Sequence, residues 1–121
     1  NNKKKIKIHK EYKNNLKQLD SVIFAKEEKN SRNVYWQIGI RINDKSKNRL
    51  VKFLTANNVD TRNFFFSIRN QPCLQKIIPK RVPKTRVSDL LWKQGIYLPS
   101  SNNIRDSEIN KVCDLIKKFY K

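Results

Sequence analysis

Few side chains in this sequence could carry catalysis, and their spacing keeps them apart. There is a single histidine, His9, two cysteines, Cys73 and Cys113, and 10 acidic residues against 28 Lys and Arg. His9 lies in the Lys-rich stretch from Lys3 to Lys17 and reads as a surface residue, so no Ser, His and Asp constellation forms around it. Cys73 and Cys113 have no CxxC spacing and no second histidine to join them, which argues against zinc; both are expected reduced and buried. The acids fall at helix starts or between Lys26 and Lys29, where capping and surface roles account for them better than paired acid and base work. Two glycines are too few for a glycine-rich phosphate cradle. A lysine that forms a Schiff base needs a desolvated setting. The lysines here read as lying on polar, exposed faces, and none is assigned a catalytic role. An independent enzyme is not supported.

The elements that would position the remaining candidates can be read from periodicity. Ile8, Tyr12, Leu16 and Leu19 recur at helical spacing and predict a first helix over Lys4 to Leu19. Val22 to Phe24 suits a short strand, and Lys26 to Arg32 a loop. From Val34 to Ile42, Val34, Trp36, Ile38, Ile40 and Ile42 alternate with Tyr35, Gln37, Gly39 and Arg41, the period-two signature of a half-buried strand. Asp44 or Ser46 can cap a second helix with Leu50, Val51 and Leu54 inward, and Asn57 or Asn58 can end it in the left-handed conformation. A strand over Val59 to Phe66 follows. Its three adjacent aromatics, Phe64 to Phe66, must point to both faces, so at least one is expected to meet another domain or subunit. Pro72, Pro79 and Pro83 make Gln71 to Lys84 a loop. Val87 to Gln94 predicts a helix with Leu90, Leu91 and Trp92 inward and Gly95 as its C-terminal cap, before an extended Ile96 to Pro99. A last helix opens at Asp106 and buries Ile109, Val112, Cys113 and Ile116, with Phe119 or Tyr120. The sum is one α+β domain in which a small antiparallel sheet packs against helices.

The net charge of +18 is the loudest compositional signal, and alone it would suggest a polyanion partner. The basic residues are, however, spread over four separate stretches instead of gathering beside surface aromatics. A solvated basic surface with no specific nucleic acid is the expectation, and a basic nucleic-acid-binding module the alternative. No stretch approaches the roughly 20 apolar residues of a membrane span. The chain is expected to be cytoplasmic, with no membrane partner.

Three segments in order, NVYWQIGIRI (Asn33 to Ile42), TRNFFFSIRNQPCL (Thr61 to Leu74) and GIYLPSS (Gly95 to Ser101), followed by the last helix, resemble the C-terminal small domain of DegT-type nucleotide-sugar aminotransferases. Those enzymes use pyridoxal phosphate. Where the family often reads T-R-P-F-F-Y-P-x-H-x-Q-P, this chain keeps Thr61, Arg62, Phe64, Phe65, Gln71 and Pro72 and departs at Asn63, Phe66, Ser67 and Arg69. The first strand is similar to the N-V-Y-W-M-F segment of perosamine-synthase-like members.

The resemblance implies that this chain lines the sugar side of a substrate pocket through Trp36, Arg62, Phe66, Ser67 and Arg69. Phe66 lacks the hydroxyl of the family's tyrosine, whereas the Arg69 guanidinium could hold a phosphate or carboxylate in bidentate fashion. Alternation by itself places Trp36 in the core, and Arg62 is equally readable as a structural ion-pair partner. Further implications are amino transfer from glutamate to a nucleotide-linked 4-keto-6-deoxyhexose, and a homodimer as the full enzyme. The large N-terminal domain that binds most of the pyridoxal phosphate is expected to be absent from residues 1–121, leaving them inactive alone. A free-standing, noncatalytic remnant of the fold is the other reading. The two differ in whether an apolar surface is left open around Trp36 and Phe64 to Phe66.

Overall fold

Ile38, Ile40 and Ile42 are buried while Gly39 and Arg41 between them are only partly so, as a two-residue period requires. They form the strand β2 (Ile38–Ile42) of a computed structural model that describes residues 2–121. The other elements are α1 (Asn2–Leu16), β1 (Val22–Phe24), α2 (Lys47–Ala56), β3 (Arg62–Asn63), α3 (Arg86–Gln94), β4 (Gly95–Leu98) and α4 (Asp106–Phe119), with a short 3-10 turn over Ile68–Asn70. The sheet order is β1-β2-β4-β3 and every pairing is antiparallel, with Ile40 opposite Ile96 and Gly39 opposite Tyr97. The α+β class read from periodicity is the observed one.

The buried strand residues meet α1, α2 and α4. Tyr12 and Leu16 of α1, Leu50 and Leu54 of α2, and Ile109, Cys113 and Ile116 of α4 join Ile38, Ile40, Ile42 and Ile96 in one core. Burying each such aliphatic side chain contributes about 1.5–3 kcal/mol. The Tyr12 hydroxyl reaches the Pro99 carbonyl at 2.7 Å, tying α1 to the end of β4. Ser46 begins α2, with its amide donating to Asp44 Oδ1 at 2.7 Å, and Asn58 (φ 62°) follows the helix in the left-handed conformation. Asp106 opens α4, where Glu108 reaches back to the Arg105 amide at 2.8 Å and Lys117 and Lys118 face the negative end of the dipole.

Several expectations are corrected. Helix α1 ends at Leu16, not Leu19, because the chain turns there through a bond from the Leu19 amide to the Leu16 carbonyl. The strand expected from Val34 begins only at Ile38. Tyr35 has φ 48° and its amide donates to Asn33 Oδ1 at 2.9 Å, a side-chain turn that takes Trp36 out of the ladder and leaves it 62% exposed, so it is not core. Of Val59 to Phe66 only Arg62–Asn63 forms strand, since the Val59 amide closes the end of α2 on the Leu54 carbonyl. In α3, Leu90 and Leu91 are exposed, and of the three residues expected inward Trp92 alone is half-buried. Cys73 is exposed. Cys113 is buried, which pushes its thiol up to about 12.

Gly95 is not a left-handed cap. Its φ and ψ of −89° and 139° are extended, and its lack of a side chain serves another purpose: a Cβ there would lie 2.2 Å from the Phe64 ring. A Cβ on Gly39 would lie 2.9 Å from the same ring. The chain's two glycines thus make the bed on which Phe64 crosses the sheet face opposite the helices.

Candidate functional site

From that bed the motif loop runs onto α3. Phe64 stacks on Tyr97 with centroids 4.6 Å apart, Phe65 turns outward and is 72% exposed, and Phe66 meets Trp92 edge-on at 4.7 Å. Ser67 is buried and its hydroxyl shares a 2.9 Å hydrogen bond with that of Thr85. Asn70 Nδ2 donates to Asp89 Oδ1 at 2.6 Å, and the Arg69 carbonyl accepts from Gln75. Arg69 is half-buried and makes no ion pair among the described residues.

A cleft of about 570 Å³ opens beside this loop, between the end of β4 and the start of α4. Arg62, Tyr97, Ser100, Ser101, Glu108 and Lys111 are among its walls. Of the five residues expected at a site, Arg62 alone lines this cleft. Phe66, Ser67 and Arg69 sit together on the α3 side, and Trp36 stands apart at the entry to β2. Tyr97 and the two serines went unassigned in the sequence, although GIYLPSS contains them.

Trp36 is held outward by a small cluster. The His9 ring stacks on Tyr35 at 3.9 Å and meets Phe24 edge-on at 5.6 Å. Glu27 Oε1 accepts from the Tyr35 hydroxyl at 2.9 Å and from the Asn33 amide at 3.0 Å. His9 is therefore a buried residue, not the surface residue expected. Burial foremost, then the charge of Lys13, lowers its pKa. The Asn33 amide first, then the Tyr35 hydroxyl, hold the Glu27 carboxyl below the usual range.

The signs predict two separate acid steps. The unfolded chain takes up the His9 proton near ~6.5 and the fold does so only lower, so stability is full above that pH and declines as pH drops below it. Glu27 contributes above its unfolded value near ~4.3, and that contribution is lost as pH falls through its lower folded value. Melting temperature measured from pH 8 to pH 3 should therefore begin to fall near pH ~6.5. In His9→Gln the upper step should vanish while the lower one stays; an unchanged upper step would assign it to another group.

Two lysines among the described residues, Lys47 and Lys111, bear on whether pyridoxal phosphate could be held here, and neither fits the part. Lys47 is buried, at 7% exposure, and burial lowers its pKa, so one lysine is desolvated after all. Its Nζ, however, donates to the Trp92 carbonyl at 2.8 Å and lies 5.7 Å from the centre of the indole. Lys111, in the cleft, is exposed. The Lys47 amine is desolvated but already bonded, and that of Lys111 is solvated.

Residues 1–117 match the DegT/DnrJ/EryC1/StrS aminotransferase family. GDP-perosamine synthase of Escherichia coli O157:H7 is 27% identical over 110 residues, covering 90% of this chain and 29% of that protein. The GDP-perosamine synthase of Vibrio cholerae is 25% identical over 89 residues, covering 71% of this chain and 24% of the relative. The crystal structure of S. venezuelae DesV, solved in complex with a ketimine intermediate, superposes with a TM-score of 0.88 at 16% identity, over 99% of this chain and 32% of that one. E. coli GDP-4-keto-6-deoxy-D-mannose-3-dehydratase with bound hydrated PLP gives 0.71 at 14% identity, over 92% and 29%. The chain thus spans under a third of the length of these proteins. It belongs to the DegT/DnrJ/EryC1/StrS aminotransferase family.

Proposed function

We propose that this chain is the small, pocket-completing domain of a nucleotide-sugar aminotransferase that moves an amino group from glutamate to a nucleotide-linked 4-keto-6-deoxyhexose. The observation that carries this reading is the unfinished outer surface around the motif loop. Phe65 and Ile68 are exposed there, at 72% and 73%, and Trp36 is exposed at the entry to β2, at 62%. A free-standing remnant would have covered those side chains with polar groups. A large domain docking here would cover them, and the short span of the match to the perosamine synthases leaves room for one.

When bound in that large domain, pyridoxal phosphate supplies the electron sink for amino transfer. The part assigned to this chain is recognition. Arg69 offers a planar, forked cation to a phosphate or carboxylate of the substrate, Phe66 and Trp36 give apolar walls, Arg62 completes the lip, and the buried Ser67 supports it from behind. The protein works in the cytoplasm, as a homodimer once complete. No helix among the described residues is long and apolar enough to cross a membrane.

The test is the visible absorbance of lysine-bound pyridoxal phosphate. Added to the chain alone, the cofactor should give no stoichiometric, borohydride-reducible band. Mixed with a matching large domain, the chain should convert weak or absent transaminase activity into turnover of a nucleotide-linked keto sugar. A reducible band from the isolated chain would mean that one of its own lysines is activated, and the pocket-completing reading would fall.

A further inference from the structure

We propose that α3 sets the shape of the 64–70 loop, with Thr85 a positioning residue for Ser67 and Asp89 one for Arg69. This rests on the reading of that loop as the sugar-side wall. Thr85 stands at the start of α3, and Asp89 and Trp92 lie four and seven residues further on, so all three share one side of the helix. Each holds a different loop residue: Thr85 the Ser67 hydroxyl at 2.9 Å, Asp89 the Asn70 amide group at 2.6 Å, and Trp92 the Phe66 ring at 4.7 Å.

The loop's other ties are a bond from the Gln75 side chain to the Arg69 carbonyl, one from the Gln71 side chain to the Phe66 carbonyl at 3.4 Å, and the Phe64 stack on Tyr97. Its own backbone supplies a single 3-10 turn, closed by bonds from the Asn70 amide to the Ser67 carbonyl and from the Gln71 amide to the Ile68 carbonyl. Helix α3 is in turn fixed at its far end, where the buried Lys47 donates to the Trp92 carbonyl at 2.8 Å. That cation sits at the negative end of the helix dipole, so the anchor and the dipole act together. The bond to the Asp89 carboxylate is charge-assisted and the strongest polar tie in the set. It holds the residue next to Arg69, so its loss should swing that guanidinium without removing it.

In the complete enzyme, Asp89→Leu should raise the KM for the nucleotide keto sugar about tenfold, as loss of one such bond implies, with kcat within about twofold. Thr85→Val, which removes only a hydroxyl, should raise it about threefold. Exchanging the partners in Asn70→Asp with Asp89→Asn rebuilds the bond in reverse and should restore KM. A merely structural Asp89 would lower melting temperature and the active fraction, leaving KM in place.

An unchanged KM in Asp89→Leu, or one that the exchange does not restore, overturns the proposal. Arg69→Ala and Phe66→Ala separate its failure from that of the underlying reading. If they raise KM while Asp89→Leu does not, only the role of α3 is lost. If they too leave KM unchanged, the loop is not the sugar-side wall.

Discussion

Trp36→Ser is expected to weaken docking of the large domain on the order of 10²-fold while leaving the chain's own fold intact, since truncating a central interface aromatic costs about 2–4 kcal/mol. The two halves of that expectation have separate grounds. Trp36 is 62% exposed and absent from the core cluster, so its removal opens no cavity, and surface changes of this kind stay within about 0.5 kcal/mol of the parent. Its outward direction is nevertheless fixed. Tyr35 before it is stacked on His9 and bonded to Glu27, so the indole meets a partner already oriented and loses little freedom on binding. Phe65→Ser should act in the same direction, because Phe65 is 72% exposed and its ring makes a distant edge contact with Tyr97, centroids 6.1 Å apart. Titration of the large domain with each variant, beside thermal melts of the variants alone, reads both halves. Undiminished affinity would remove the docking surface, and a melting point lowered by several degrees would show that Trp36 is core.

The misreading of Trp36 shows where periodicity stops being informative. Alternation runs without a break from Val34 to Ile42, and nothing local distinguishes its first half from its second. What ends the strand at Ile38 is Tyr35 at φ 48°, a conformation uncommon for a bulky residue. It is held by the Asn33 side chain and by contacts to Glu27 and to His9 on α1, and only the first of these is near in sequence. His9 was misjudged for a related reason. Its neighbours are lysines, yet it lies one residue after Ile8 and three before Tyr12, at the margin of an apolar stripe wide enough to include it.

Helix α4 was legible in full because its partners lie within this chain, and the stripe Ile109, Val112, Cys113 and Ile116 is buried as its spacing requires. Helix α3 shows the converse. Its Val87, Leu90 and Leu91 are exposed, and the side facing the motif loop carries Thr85, Asp89 and Trp92. The leucines that spacing points inward are therefore exposed, and the inward side carries two polar residues and one indole. The insertion of β4 between β2 and β3 joins segments more than 30 residues apart, which no local pattern reports. The aromatic run was read better, since Phe64, Phe65 and Phe66 do diverge, onto the glycine bed, outward, and onto Trp92.

The glycine bed makes the strongest stability prediction. By backbone alone, Gly95→Ala should be favourable, because φ −89° and ψ 139° suit any residue and alanine would reduce the freedom of the unfolded chain by about 0.4–1 kcal/mol. Sterics oppose this and should win. A Cβ at Gly95 would meet Phe64 Cγ and Cδ2 at 2.2 Å, and these are ring atoms joined to the backbone through one Cβ, with little room to bend away. The ring must leave the bed, losing its 4.6 Å stack on Tyr97 and pulling on a chain whose amide bonds to the Gly95 carbonyl. Overpacking of this kind costs about 1–3 kcal/mol, and the upper end is expected here, a fall in melting temperature of about 10 °C for a domain of this size. Gly39→Ala should cost less, since its Cβ would meet the far tip of the ring at 2.9 Å, where a small tilt suffices. The double variant Gly95→Ala with Phe64→Ala isolates the cause: with the ring gone the alanine has space, so the two losses should fall short of additivity by at least about 1 kcal/mol. Denaturant melts of the four proteins measure this directly. Strict additivity, or a Gly95→Ala chain as stable as its parent, would mean that Phe64 does not lie on the sheet. The motif loop would then start from a different place.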